Sequence, residues 1–335
     1  MEKSNSLEDS YSNLQPNQLL TPILFLIFNR PESTSKVFDA IRKVKPTRLY
    51  VAADGPRADK KIESQLVLET RKIAAQVDWK CEVRTLYRDQ NLGCKNAISE
   101  AISWFFEQEE QGIILEDDCL PSQSFFWYCD ELLDLYRDDT SVMTIGGVNY
   151  QNGIQRGEGS YYGTKYFHCW GWASWRRAWS EYDRDLKSIK GTIEKGLVKL
   201  SDGNAFFIPY WKDIIGDCLE GRNSSWAYPM SITCFAREGS NIETLHLAPQ
   251  INLVENIGFE SGGTHTNEGT SNPSELKHDI SFPLTHPKYI TRDLSADKWT
   301  DRHHFHITLI GYLKRKVGRK FPRLKQSLIR FLRRS

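Results

Sequence analysis

Metal-clamp spacing is missing from this sequence. Its seven cysteines, at 81, 94, 119, 129, 169, 218 and 234, contain no CxxC pair. The odd count and the lack of framework spacing argue against a disulfide scaffold or a zinc site and point to reduced thiols in a cytosolic setting. There is no GxxxxGK[ST] loop and no GxGxxG, which argues against NTPases and dinucleotide enzymes. The longest apolar run, ILFLIF at 23–28, is far too short to span a bilayer and fits a central strand. No internal repeat stands out. Residues 1–20 are polar and contain acids, without the basic n-region and apolar core of a signal peptide, and are expected to be disordered.

What is present is a 335-residue chain with 39% hydrophobic and 26% charged residues, enough for one large globular domain or two smaller ones. Its net charge of +1 hides an asymmetry. Residues 309–335 hold ten Lys or Arg and no acid, which leaves 34 basic against 43 acidic residues in the body. Leu313, Val317, Phe321, Leu324, Leu328, Phe331 and Leu332 recur there at helical spacing between the cations. This pattern describes a basic amphipathic helix suited to an anionic membrane surface, or a terminal helix docking on the acidic body. Confinement of the positive charge to the tail argues against nucleic acid as a partner.

From residue 22 strand and helix patterns alternate. PILFLIFNRP is a strand running into a polar loop, with a helix over 33–44. RLYVAADGP (48–56) is a second strand, with a helix over about 60–76. EVRTLYRD (82–89) is a third, and a helix opens near Lys95. GIILE (112–116) is the fourth, followed by a helix from Ser124. The series predicts an α/β fold with a mostly parallel sheet and helices on both faces. Its strands end in Asn29-Arg30, Asp54-Gly55, Arg88-Asp89 and Glu116-Asp117-Asp118. In an open α/β sheet those carboxyl ends form the binding crevice.

Three consecutive acids there repel one another unless a cation neutralises them, and hard divalent ions prefer oxygen ligands. Magnesium or manganese held by one or two carboxylates completes its shell with water and substrate phosphates. The expected occupant is therefore a metal bridging the diphosphate of a nucleotide sugar. A helix N-cap cluster is the plainer explanation of EDD alone; its place straight after a buried strand weighs against that.

FLIFNRP, VAADGP, RDQNLGCKNAISEAISWFF, ILEDDCLPSQSFFWYCDELL and HCWGWASWRRAWSEYD together resemble a family of bacterial GT-A glycosyltransferases. More distantly they are similar to the N-acetylglucosaminyltransferases that initiate complex N-glycans. The resemblance runs from about 21 to 290 and takes in NLVENIGF, THT and FPLTHP. It implies a Rossmann-like GT-A domain with a nucleotide-sugar half (21–150) and an acceptor half (151–300), to which the charge pattern adds a basic tail (301–335). Carried over, Arg30 and Asp54 surround the nucleotide base and Asp117 lies near the ribose. Asp118 is the main protein ligand of Mn2+ or Mg2+, and His265 is a further ligand or a diphosphate contact. Phe28, Asn29, Arg88, Asn91, Gly93, Lys95 and Glu116 complete the donor side.

In the second half, CWGWASWRRAW packs four tryptophans into a short stretch. Trp170, Gly171 and Trp172 are the acceptor-side candidates, because indole rings stack on sugar faces. Tryptophans also serve as core anchors, and Trp175 and Trp179 have the spacing of a helix packing face. An inverting transferase needs an Asp or Glu to deprotonate the acceptor hydroxyl. Many relatives carry Trp-Asp where this chain has Trp226-Ala227, so Asp213, Asp217 and Glu220 stand as unranked substitutes. RHHFH (302–306) is expected to be solvated. The expectation is thus a metal-dependent, inverting glycosyltransferase at the cytoplasmic face of the plasma membrane. It would use a UDP- or GDP-linked sugar and a glycan or lipid-linked acceptor in surface polysaccharide or glycolipid synthesis. A sugar-nucleotide-forming nucleotidyltransferase and an inactive carbohydrate-binding homologue are the alternatives.

Overall fold

The computed structural model describes residues 18–60, 62–189, 191–258 and 276–320. The chain opens as β1 (Ile23–Ile27), α1 (Pro31–Val44), β2 (Arg48–Ala53), α2 (Glu63–Ala74), β3 (Glu82–Tyr87), α3 (Cys94–Phe106) and β4 (Gln111–Glu116), the expected alternation. It continues through β5 (Cys119–Pro121), α4 (Gln123–Leu135), β6 (Val142–Gly146), β7 (Tyr161–Thr164), β8 (Trp172–Trp175) and α5 (Arg176–Trp179). Then come α6 (Ile193–Leu200), α7 (Phe207–Leu219), α8 (Ala227–Gly239), β9 (Leu245–Pro249), β10 (Val254–Asn256), α9 (Leu294–His303) and α10 (Leu309–Lys320).

Every residue of β1 is buried because the strand is covered on both faces. Ile23, Phe25 and Ile27 pack with Val37, Phe38 and Ile41 of α1 and with Phe125, Phe126 and Leu132 of α4. Leu24 and Leu26 face the other way, toward Ile102 and Phe105 of α3 and Met230 of α8. Pro31 occupies the first turn of α1, where a missing N–H costs nothing, and Lys45 closes that helix with a left-handed φ of 46°. At Gly112 a Cβ would lie 2.3 Å from the Phe105 ring, so α3 rests directly on β4.

The large sheet has eight strands in the order β3-β2-β1-β4-β8-β6-β9-β7. Its β3-β2-β1-β4 portion is parallel throughout; β8 runs antiparallel to both β4 and β6, and β7 antiparallel to β9. The halves expected to meet near residue 150 therefore share one sheet. A small ribbon pairs β10 with β5, Asn256 opposite Cys119, which brings Ile257 and Gly258 against Asp118.

The body also runs past residue 301, where the sequence places the start of the tail. Asp297 accepts from Thr164 Oγ1 (2.6 Å) and pairs with Arg292 (2.9 Å). Asp301 pairs with the buried Lys165 (3.3 Å) and accepts from the Tyr166 hydroxyl, and Ile307 is buried. Of the RHHFH run, His303 and His306 are exposed as expected, but His304 stacks on Tyr150 with ring centroids 3.8 Å apart. Burial lowers its pKa to about 4. A sequence scan misses this because only a distant aromatic partner distinguishes His304 from its neighbours.

α10 lies on α7. Arg319 pairs with Asp213 (2.8 Å) and Asp217 (2.7 Å), the Arg315 guanidinium sits 4.4 Å from the Tyr210 ring centroid, and Tyr312 packs on Phe206.

Candidate functional site

A cavity of ≈ 310 Å3 opens where β1, β2 and β4 end. Leu26, Ala52, Leu86, Ala97 and Ile98 give it an apolar side; Phe28, Arg30, Asp54, Arg88, Asn91, Gly93, Glu116 and Asp117 give it a polar one. The polar residues come from four separate strand ends, gathered by the parallel register that sets Leu26 beside Ala52 on one flank and Glu116 on the other.

Arg30 organises the acids. One of its terminal nitrogens, Nη1, reaches Asp118 Oδ2 at 2.7 Å and Asp117 Oδ1 at 3.0 Å, while the Phe28 N–H donates to Asp117 Oδ2 at 2.9 Å. Burial works against the guanidinium's charge, but Asp117, Asp118 and Glu116 outweigh it and raise its pKa. Three carboxyl groups nevertheless share one cation. Burial, then Asp118 and Asp117, push Glu116 up to about 8, with the Trp226 indole and Arg30 pulling the other way. Burial also pushes Asp117 up to about 7, against the opposing pull of Arg30. The cluster lacks positive charge.

Among the described residues no three His, Cys, Asp or Glu side chains converge as a metal cage. A divalent ion that takes most of its shell from phosphates and water needs only one or two carboxylates, and a charge-deficient oxygen cluster is the donor set it prefers. Asp118, backed by Gly258, whose Cβ would lie 2.4 Å from Oδ2, fits that role, with Glu116 two residues before it in the chain. His265 lies outside the described residues.

Asp54 does something the sequence does not announce. Its Oδ1 accepts from the N–H groups of Gly55 and Leu92, each at 2.9 Å, and its Oδ2 from that of Gly93 at 3.1 Å. The Asn91 amide donates to Gly55 O at 2.8 Å, and a Cβ on Gly55 would lie 2.5 Å from the Gln90 backbone. These contacts zip the β2 and β3 end loops into one wall, so the Asp54 carboxylate is spent largely on backbone.

Not every other expected residue lines the cavity. Asn29 donates to Glu63 (2.9 Å) and Lys95 reaches Asp185 (3.5 Å). Arg88 lines the cavity and pairs with Glu100 (2.9 Å). The acceptor-side expectation for Trp172 is corrected: it is fully buried, stacked on Trp226 at 5.7 Å, because β8 is an inner strand. Gly171 is buried at φ +62°, its Cβ direction blocked by Val254, so backbone geometry accounts for the glycine. Trp170 is half-buried beside Tyr150. Asp213 and Asp217 are held by Arg319, Asp217 also by Arg222 (2.5 Å), and Glu220 pairs with Arg222; none lines the cavity.

Sequence reasoning missed Arg57, Ser224 and Cys94 on the cavity wall. Arg57 is fixed by the buried Glu63, an ion pair six residues apart that no periodicity reveals. Ser224 on the wall and Trp226 beside Glu116 bring this segment to the cavity, and Ala227, next in the chain, packs against the core cluster that includes Trp226 and carries no carboxylate.

No protein-family model matches the chain, and no curated protein is similar to it in sequence. Among solved structures, a UDP-glucose pyrophosphorylase complexed with UDP-glucose is similar over 72% of this chain and 95% of that one, at 10% identity and a TM-score of 0.37. Mouse xyloside xylosyltransferase 1 is similar over 66% and 83%, at 10% identity and a TM-score of 0.33. The 4-diphosphocytidyl-2C-methyl-D-erythritol synthase of Anaerococcus prevotii covers 52% of this chain with 78% of its own, at 11% identity and a TM-score of 0.30. Overlaps this loose assign the chain no reaction.

Proposed function

We propose that the crevice binds a UDP- or GDP-linked sugar with Mn2+ or Mg2+ and that the protein is a glycosyltransferase acting on a glycan or lipid-linked acceptor. The observation that supports it most is the charge-deficient Glu116-Asp117-Asp118 cluster at the mouth of a cavity with one apolar side. Asp118 and Glu116 would hold the cation. When bound, that ion neutralises the diphosphate as it leaves. Asp117 and the Phe28 N–H fix the β1 end loop. Arg30 bridges Asp117 and Asp118 and offers a fork for phosphate oxygens once the acids have another partner. The zipped wall of Asp54, Gly55 and Asn91 holds one side of the pocket in place before the donor arrives, lowering the ordering cost of binding. Displacement with inversion requires a base for the acceptor hydroxyl, and surface polysaccharide or glycolipid synthesis is the setting in which such a transfer is used.

Calorimetry with UDP and GDP, each with and without Mn2+, tests the donor assignment; binding indifferent to the metal for both nucleotides overturns it. Ala227 favours a second reading, a binder of nucleotide sugars without turnover. Donor hydrolysis in the absence of acceptor separates the two. Hydrolysis by the natural chain supports the enzyme, whereas hydrolysis only after Ala227→Asp shows that the missing carboxylate has left a binder.

A further inference from the structure

We propose that α10 is a surface-seating helix whose outward face rests on an anionic lipid bilayer. The inference stands apart from the reaction in the crevice. One face of α10 is fastened to the body: Tyr312, Arg315 and Arg319, at spacings of three and four, meet Phe206, Tyr210 and the Asp213/Asp217 pair. The opposite arc, about 100° wide at 3.6 residues per turn, carries Leu309, Ile310, Leu313 and Val317. These are 54%, 66%, 52% and 48% exposed, so among the described residues docking on α7 leaves the apolar stripe uncovered. A helix whose apolar face merely docks would show the reverse. Lys314 and Lys316, both exposed, flank the stripe.

Charge selects the occupant. In a symmetric pairing of two copies through this stripe, the flanking lysines would face each other. A nucleic acid would leave four apolar side chains in water. An anionic bilayer takes both parts at once, the stripe in its acyl boundary and the lysines among its phosphates. The chain continues beyond α10 with five more Lys or Arg and no acid among residues 321–335. The remainder of the protein is net acidic and is repelled by the same surface, which orients the molecule with α10 downward. No helix among the described residues is long and apolar enough to cross a membrane.

Flotation of the full-length protein with phosphatidylglycerol-containing vesicles, against vesicles of phosphatidylcholine alone, is the test. The protein should float only with the anionic vesicles. The pair Ile310→Asn and Leu313→Asn should lower binding about tenfold or more, because two interfacial side chains are lost. Since both are exposed, the melting temperature should hold. Val317→Trp should tighten binding, a gain that misfolding cannot mimic. The proposal is overturned if the asparagine pair floats like the natural chain or if Val317→Trp fails to tighten binding. It is also overturned if the stripe proves to hold a dimer that the asparagine pair dissolves, or if duplex DNA is bound in preference to vesicles.

Discussion

Two of the acid clusters in this molecule, each of three residues, are balanced differently. Glu116, Asp117 and Asp118 share one guanidinium, Arg30, in a half-buried crevice, and two of them are forced toward their protonated forms. Asp213, Asp217 and Glu220 share two, Arg222 and Arg319, near the surface, with Glu220 60% exposed in its side chain. In the second group every acid has a guanidinium partner within the fold, and the pairs join α10 to α7. The first is left short of a cation, at a cost in stability that a ligand would relieve. Charge imbalance in a crevice, more than the number of acids, marks the site.

The sharpest test of this contrast removes the imbalance. Asp118→Asn should weaken Mn2+-dependent nucleotide binding by about a hundredfold, since a direct ligand is lost, without lowering the melting temperature. Calorimetry and thermal unfolding read the two effects separately. An affinity that does not change would put the metal elsewhere.

Next in size is a pH effect. Glu116 and Asp117, raised to about 8 and about 7, hold protons that the unfolded chain sheds near pH 4. Their contribution to stability is therefore present at low pH and fades as pH rises through 7 and 8. A metal-nucleotide complex competes with those same protons. Its affinity should climb by up to about tenfold per pH unit for each proton displaced, between pH 6 and 8.5. Isothermal titration in buffers of different ionisation enthalpy measures the released proton, and an affinity flat across that range would break the contrast.

Smaller effects belong to the second group. Asp217→Asn removes a partner from both Arg319 and Arg222. Because these groups are partly solvated, it should cost only about 1 kcal/mol or less, seen as a drop of a few degrees in melting temperature. Asp213→Asn should cost less again. Neither should alter donor binding or hydrolysis; loss of turnover with donor binding intact would make one of them the base and erase the distinction. The smallest change is expected from Glu220→Gln, which should leave both melting temperature and hydrolysis within error.

The first group was legible in sequence because its meaning is local: an apolar strand ends, and three acids follow at once. The β-α alternation was legible for the same reason, since periodicity and turn residues act over a few positions. Arg30's partners were not, because they lie 87 and 88 residues away. Nor was the fate of Asp213, whose arginine lies 106 residues on. Trp172 misled for a related reason. Its ring chemistry suits a sugar, but a residue's face of the sheet depends on which strands flank it, and β8 inserts between β4 and β6 out of chain order.

For anyone wishing to change the donor this protein accepts, the Asp54 zipper divides the pocket into positions that tolerate variation and positions that do not. Substituting Asp54, Gly55 or Asn91 would part the β2 and β3 loops, so screening libraries built there would return unfolded walls before new preferences. Arg57 and Ser224 border the same space without joining those loops. Variation at Ser224 can alter what the pocket admits while its frame survives, whereas changing Arg57 would leave the buried Glu63 without its cation.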